Sequence, residues 1–113
     1  MSSRAFEAID EIVQAGADSD DVLRAVVAEL VREPTITWAG VLFLEDGALV
    51  LGPDAGAADP SRRVGVPVSY QDAKVGELTV DGIADLAFLE RVAALISAHV
   101  LLGWDTGGQT WEP

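Results

Sequence analysis

Apolar residues along the chain fall into two rhythms, one of period about 3.6 and one of short continuous or alternating runs. Residues 4–15 place Phe6, Ile9, Ile12 and Val13 on one helical face, with Glu7, Asp10, Glu11 and Gln14 elsewhere. Gly16 is the expected stop. Asp20 to Arg32 repeats the pattern with Val22, Leu23, Val26, Val27, Leu30 and Val31, and Pro34 disfavours helical geometry at Glu33. Trp38 to Leu44 and Ala48 to Leu51 are apolar runs around Glu45-Asp46-Gly47, the pattern of two buried strands and a tight hairpin. Gly47 supplies the positive φ of that turn, and Gly52-Pro53 is expected to end the second strand. Asp54 to Ser61 has no periodicity and reads as a loop.

Arg63 to Tyr70 and Lys74 to Val80 form a second expected hairpin, turning at Gln71-Asp72-Ala73. Val64, Val66, Val68 and Tyr70 share a face, whereas Val75, Leu78 and Val80 alternate imperfectly. The longest element spans roughly residues 84–102, with Asp85 near its start and Gly103 as its cap. Leu86, Leu89, Val92, Ala93, Ile96 and Val100 make one face, and Phe88, Leu95, His99 and Leu102 an adjacent stripe. Trp104 and Trp111 lie in the tail, residues 103–113, whose tryptophans favour packing back or onto a partner. The order helix, helix, four strands, helix predicts one α+β domain over residues 1–113, with helices on one face of an antiparallel sheet. The hairpins give strand pairs 1-2 and 3-4.

Composition narrows the function. With 113 residues, half of them hydrophobic, the chain suits a single modest core. The formal net charge of −12 disfavours nucleic acid and anionic membrane surfaces. No apolar run approaches a membrane span, and the N-terminus lacks an apolar signal core, so a cytoplasmic location is expected. There is no cysteine, which removes disulfides, thiolate metal sites and thiol redox chemistry.

Other candidate chemistry is sparse. His99 is the sole histidine; on an apolar helical stripe it reads as a packed side chain rather than a haem or metal ligand. Asp18, Asp20 and Asp21 lack the glycine and distal glutamate of a calcium loop and read as helix-capping residues. Phosphate loops and nucleophile elbows are absent. Arg62-Arg63, the one basic dipeptide, reads as an offset to nearby carboxylates. No cofactor or metal is expected.

The stretch Trp38-Ala-Gly-Val-Leu-Phe-Leu-Glu-Asp-Gly-Ala-Leu-Val-Leu-Gly-Pro53 resembles the first hairpin of GAF domains, above all the branch containing the free methionine-R-sulfoxide reductases. Val66-Pro67-Val68 through Val75-Gly76-Glu77-Leu78 is similar to the closing hairpin of that family. The resemblance implies strand order 2-1-4-3, and a ligand pocket built on the residues matched by Trp38, Leu42, Thr79 and Asp81. It also exposes departures. The reductases work through cysteine; where they carry an acidic pair this chain has Thr79 and Asp81, and Leu42 stands where they tend to place a tyrosine. The segment that roofs the family's cavity shrinks here to residues 54–62, so no enclosed cavity of several hundred cubic ångströms is expected.

The leading expectation is a non-catalytic GAF-like module for homodimerisation or regulatory protein contact, with no reductase activity. Its dimer interface would use Phe6, Ile9 and Val13 of the N-terminal helix (residues 1–16) with Phe88, Leu95, His99 and Leu102. Two alternatives remain: a small-molecule sensor with a ligand over the sheet near Trp38 and Asp81, and an interaction scaffold of the roadblock or longin class.

Overall fold

The computed structural model describes residues 3–15 and 18–108, with side chains for 4–15 and 18–101. Three helices, α1 (Ser3–Gln14), α2 (Ser19–Leu30) and α3 (Leu86–Gly108), accompany four strands: β1 (Ile36–Glu45), β2 (Ala48–Gly56), β3 (Arg63–Tyr70) and β4 (Ala73–Gly82). A 3-10 turn, Pro60–Arg62, precedes β3. The strands are antiparallel in the order β2-β1-β4-β3, as expected.

Both hairpins close through two-residue turns in the left-handed region, Asp46 and Gly47 (φ 52° and 81°) and Gln71 and Asp72 (φ 51° and 68°). Such turns match the twist of the strands they join. Ala73 belongs to β4 rather than to the turn. Each strand interface carries one register shift. Between β1 and β2, Gly52 and Pro53 together oppose Val41, so β2 does not end at Pro53 but bulges there and continues to Gly56. A bulge on an edge strand is where a residue without an N–H costs least. In β4 the extra residue is Val75, which accounts for the imperfect alternation of that strand.

One face of the sheet carries Ala39, Val41, Val66, Val68, Leu78 and Val80, all buried against the helices. From α2 come Val22, Leu23, Val26, Val27 and Leu30, and from α3 Leu89, Val92, Ala93, Ile96 and Val100. Close approach of α3 depends on Gly76, where a Cβ would lie 2.9 Å from the Val100 side chain and 2.2 Å from the Leu42 carbonyl. Asp85 caps α3, its carboxylate accepting from the Ala87 N–H at 3.0 Å. Asp18 precedes α2 without a side-chain cap, and Asp20 instead pairs with Arg24 at 2.7 Å. Helix α3 runs through Gly103 to Gly108 instead of ending at residue 102.

The second stripe of α3 is largely used within the chain. Phe88 and Ile9 are buried, and Phe6 meets Phe88 edge-on with ring centres 6.3 Å apart. The Arg91 guanidinium covers the other side of Phe6 at 4.0 Å. Ser19 Oγ and His99 Nδ1 share a 3.1 Å hydrogen bond that ties α3 to the start of α2. Val13 and Leu95 pack, partly buried, against the core. Much of the apolar face expected for a helix-mediated dimer is thus in contact with α1 and α2, while Phe6, Val13, Leu95 and His99 stay partly exposed. Gly16, Trp111 and the side chains of Leu102 and Trp104 lie outside the described residues.

Truncating this core should be costly. Leu78→Ala or Ile96→Ala is expected to lower the unfolding free energy by about 2–5 kcal/mol. Leu51→Ala, on the opposite face, should change it by no more than about 0.5 kcal/mol. Urea unfolding of the three variants checks the layer assignment, and equal losses at all three would contradict it.

Candidate functional site

The outer face of the sheet, away from the helices, is ordered in three cross-strand rows. Trp38, Asp81 and Arg63 form the first; Gly40, Thr79 and Gly65 the second; Leu42, Glu77 and Pro67 the third. On β2, Asp54 lies opposite Gly40 and Leu51 opposite Leu42. Both glycines of the middle row make room for neighbours, the Trp38 ring over Gly40 and the Thr79 and Glu77 side chains beside Gly65, and the face is hollowed beside them between Trp38–Arg63 and Leu42–Glu77. A recess of about 430 Å³ results, lined by Trp38, Leu42, Leu51, Asp54, Ala58, Pro60, Arg63, Glu77 and Thr79. That volume lies in the range of small-molecule sites, about 300–1,000 Å³. The recess is open to solvent, and is not the enclosed cavity whose absence was expected. Although residues 57–62 are few, Ala58 and Pro60 reach its rim.

Asp81 holds this arrangement in place. Its side chain is fully buried yet satisfied three times: Arg63 Nε donates to Oδ1 at 2.7 Å, Arg63 Nη2 to Oδ2 at 2.8 Å, and the Asp59 N–H to Oδ2 at 2.6 Å. The forked Arg63 contact holds the carboxyl below its ordinary range; burial opposes this and the Asp59 N–H reinforces it. The same guanidinium stacks over the Trp38 ring at 4.3 Å. Trp38 Nε1 donates to Asp54 Oδ2 at 2.9 Å, so the indole is fixed at both its face and its edge. It lies over Gly40, where a Cβ would come within 2.5 Å of the ring.

Trp38, Leu42 and Thr79 are thus brought together as lining residues, whereas Asp81 is not in the lining: its oxygens are consumed by Arg63 and Asp59. Leu51, Asp54, Ala58, Pro60, Arg63 and Glu77 were not singled out as ligand-facing. Glu77 and Leu51 were legible in principle, since strand alternation puts them on the face of Thr79 and Leu42. With Arg63 and Asp81 cancelling, Asp54 and Glu77 leave the recess net negative. Glu77 Oε1 accepts a long bond from Thr79 Oγ1, 3.3 Å. His99 is on the helix side, joined to Ser19. Among the described residues no group of three metal-ligating side chains occurs, and no helix is long and apolar enough to cross a membrane.

The ion pair has a defined pH signature. The Asp81 pKa is depressed by folding, so its stabilisation is full above the unfolded carboxylate pKa, about 4, and is lost as pH falls through the lower folded value. Arg63→Met leaves the buried carboxylate with one donor and should lower Tm by several degrees at pH 7. Below about pH 4 the gap to wild type should close as Asp81 takes up a proton. Thermal melts from pH 7 to pH 3 check this; a gap independent of pH would contradict the pairing.

No protein-family model and no curated protein matches the chain. Solved structures do. The GAF domain of a phosphoenolpyruvate-protein phosphotransferase from Coxiella burnetii is 14% identical, with a TM-score of 0.75 over 94% of this chain and 96% of that one. A putative GAF sensor protein from Burkholderia vietnamiensis is 17% identical, with a TM-score of 0.75 over 92% and 91%. The free methionine-R-sulfoxide reductase of Staphylococcus aureus, in complex with its substrate, is 17% identical, with a TM-score of 0.72 over 87% and 94%. These likenesses establish the architecture rather than an activity: the chain has the fold shared by GAF domains and free methionine-R-sulfoxide reductases.

Proposed function

We propose that this chain is a non-catalytic regulatory GAF-fold domain that binds a small molecule in the recess over the sheet. The observation that carries the reading is the recess itself: about 430 Å³, lined by the apolar Trp38, Leu42 and Leu51 with Thr79, Asp54 and Glu77 among them. An apolar lining with a few fixed polar groups is what small-molecule sites share. The reductase-like alternative lacks its chemistry, since the sequence has no cysteine to act as nucleophile. Nor does the lining contain a histidine to act as base.

Charge points to the ligand class. Arg63 spends two of its donors on Asp81, while Glu77 and Asp54 face the recess as carboxylates. A net-negative recess with apolar walls favours a compact ligand with an apolar body and an ammonium or other cationic head, and repels nucleotides and carboxylic acids. Trp38 is held by Arg63 and Asp54 within the chain, which lowers the ordering cost of binding.

Calorimetry with a panel of small alkyl and aryl amines, amino acids, carboxylic acids and nucleotides tests the reading. At least one amine-bearing compound should bind with Kd below about 1 mM, or about −4 kcal/mol, and the anions should not. Leu42→Trp, which fills the recess, should abolish binding without loss of helical circular dichroism. Binding confined to anions, or unaffected by Leu42→Trp, would overturn the proposal. Turnover of free methionine sulfoxide with a thiol reductant would overturn its non-catalytic part.

A further inference from the structure

The two edges of the sheet are protected unequally. Strand β3, at one edge, carries the exposed Pro67 in mid-strand, which has no N–H to offer an incoming chain. Strand β2, at the other, presents Leu49, Val50 and Leu51 exposed at 38%, 44% and 53%. Ala48–Gly52 contains neither charge nor proline, in a chain whose net charge is −12. The devices that normally blunt an edge are a charge, a proline or a bulge, and in β2 all three begin only at Gly52–Asp54. Helix α2 does not close this stretch: its approach is to the far end of the strand, where Val31 sits against Gly56.

We propose that Ala48–Gly52 pairs antiparallel with the same segment of a second copy, about a twofold axis at Val50, joining two four-stranded sheets into one of eight. An open backbone edge is satisfied by another extended strand, and antiparallel pairing of identical segments is the closed, self-complementary solution. Charge selects the second copy's own segment. Between two strongly acidic chains, an uncharged run that meets its own copy brings no carboxylates face to face. Leu49 of each chain then faces Leu51 of the other on the recess side, and Val50 faces Val50 on the helix side, because alternate residues project to opposite faces. Asp46 and Asp54 flank the paired segment at both ends and oppose it from a short distance. Salt screens that repulsion, so the dimer tightens as ionic strength rises. The proposal rests on the strand edge and is independent of what the recess binds.

Sedimentation equilibrium of the full chain between about 1 and 100 µM, in about 50 and 500 mM salt, reads the association directly. The wild type should dimerise, with a smaller Kd at high salt. Val50→Lys and Val50→Glu shift the net charge in opposite directions, yet each should raise Kd about tenfold or more by placing like charges at the axis. Both substitute an exposed side chain, and unchanged thermal melts would confirm folding. Hydrogen exchange should show the outward amides of residues 48–52 protected only at dimer-forming concentrations. A wild type monomeric at 100 µM in both salts would overturn the proposal. So would a dimer unaffected by either variant, or one tightened by lysine and loosened by glutamate, which would report general charge rather than strand pairing.

Discussion

A carboxylate fully removed from water is tolerable only with strong, well-placed partners, and the outer face of this protein is arranged around that requirement at Asp81. Its two oxygens draw Arg63 across from β3 and the backbone of Asp59 down from the preceding loop. Once fixed, the guanidinium becomes the cover of Trp38, and Trp38 in turn engages Asp54 on β2. One buried charge thereby ties together both outer strands, both inner strands and the short loop that rims the recess. Polar bonds, not apolar packing, organise this face.

The helix face follows the opposite logic. There the sheet contributes alternating valines and leucines, and each helix a stripe matched to them, with Gly76 letting α3 come close. Helices α1 and α2 cover part of α3 through Phe6, Ile9 and the Ser19–His99 bond, while Leu86 stays exposed rather than on the core face expected for it. A fold so divided leaves one face for stability and the other for the recognition proposed above. That division is compatible with the solved GAF-fold structures, among which sensor domains and enzymes both occur.

Much of the architecture was legible in the sequence because its signals are local. Asp46-Gly47 specifies a turn by its own chemistry, and helical stripes repeat within a few residues. The strand order came from the resemblance of the two hairpins. What was not legible depends on register. A two-residue turn at Gln71-Asp72, continued without interruption, would set Arg63 opposite Val80; the bulge at Val75 moves it opposite Asp81. That single residue decides whether Arg63 reaches Asp81, and its local trace is the imperfect alternation of β4. Pro53 misled for a related reason. Proline ends a central strand, but in the β2 bulge it is accommodated, and the strand gains Asp54 to hold Trp38. The recess was missed because the shortened loop drew attention from the face itself, where side chains of all four strands line it.

The central claim is that ligand recognition resides on the outer face, in the recess lined by Trp38, Leu42, Leu51 and Thr79. Its most direct test is a heteronuclear NMR titration of the wild-type protein with the tightest-binding amine found by calorimetry. The account predicts shifts in the Trp38 indole N–H, the Thr79 methyl and the Leu42 and Leu51 methyls, with Leu89, Ile96 and Val26 unmoved. Shifts concentrated on the helix face, with the outer-face resonances unmoved, would contradict it.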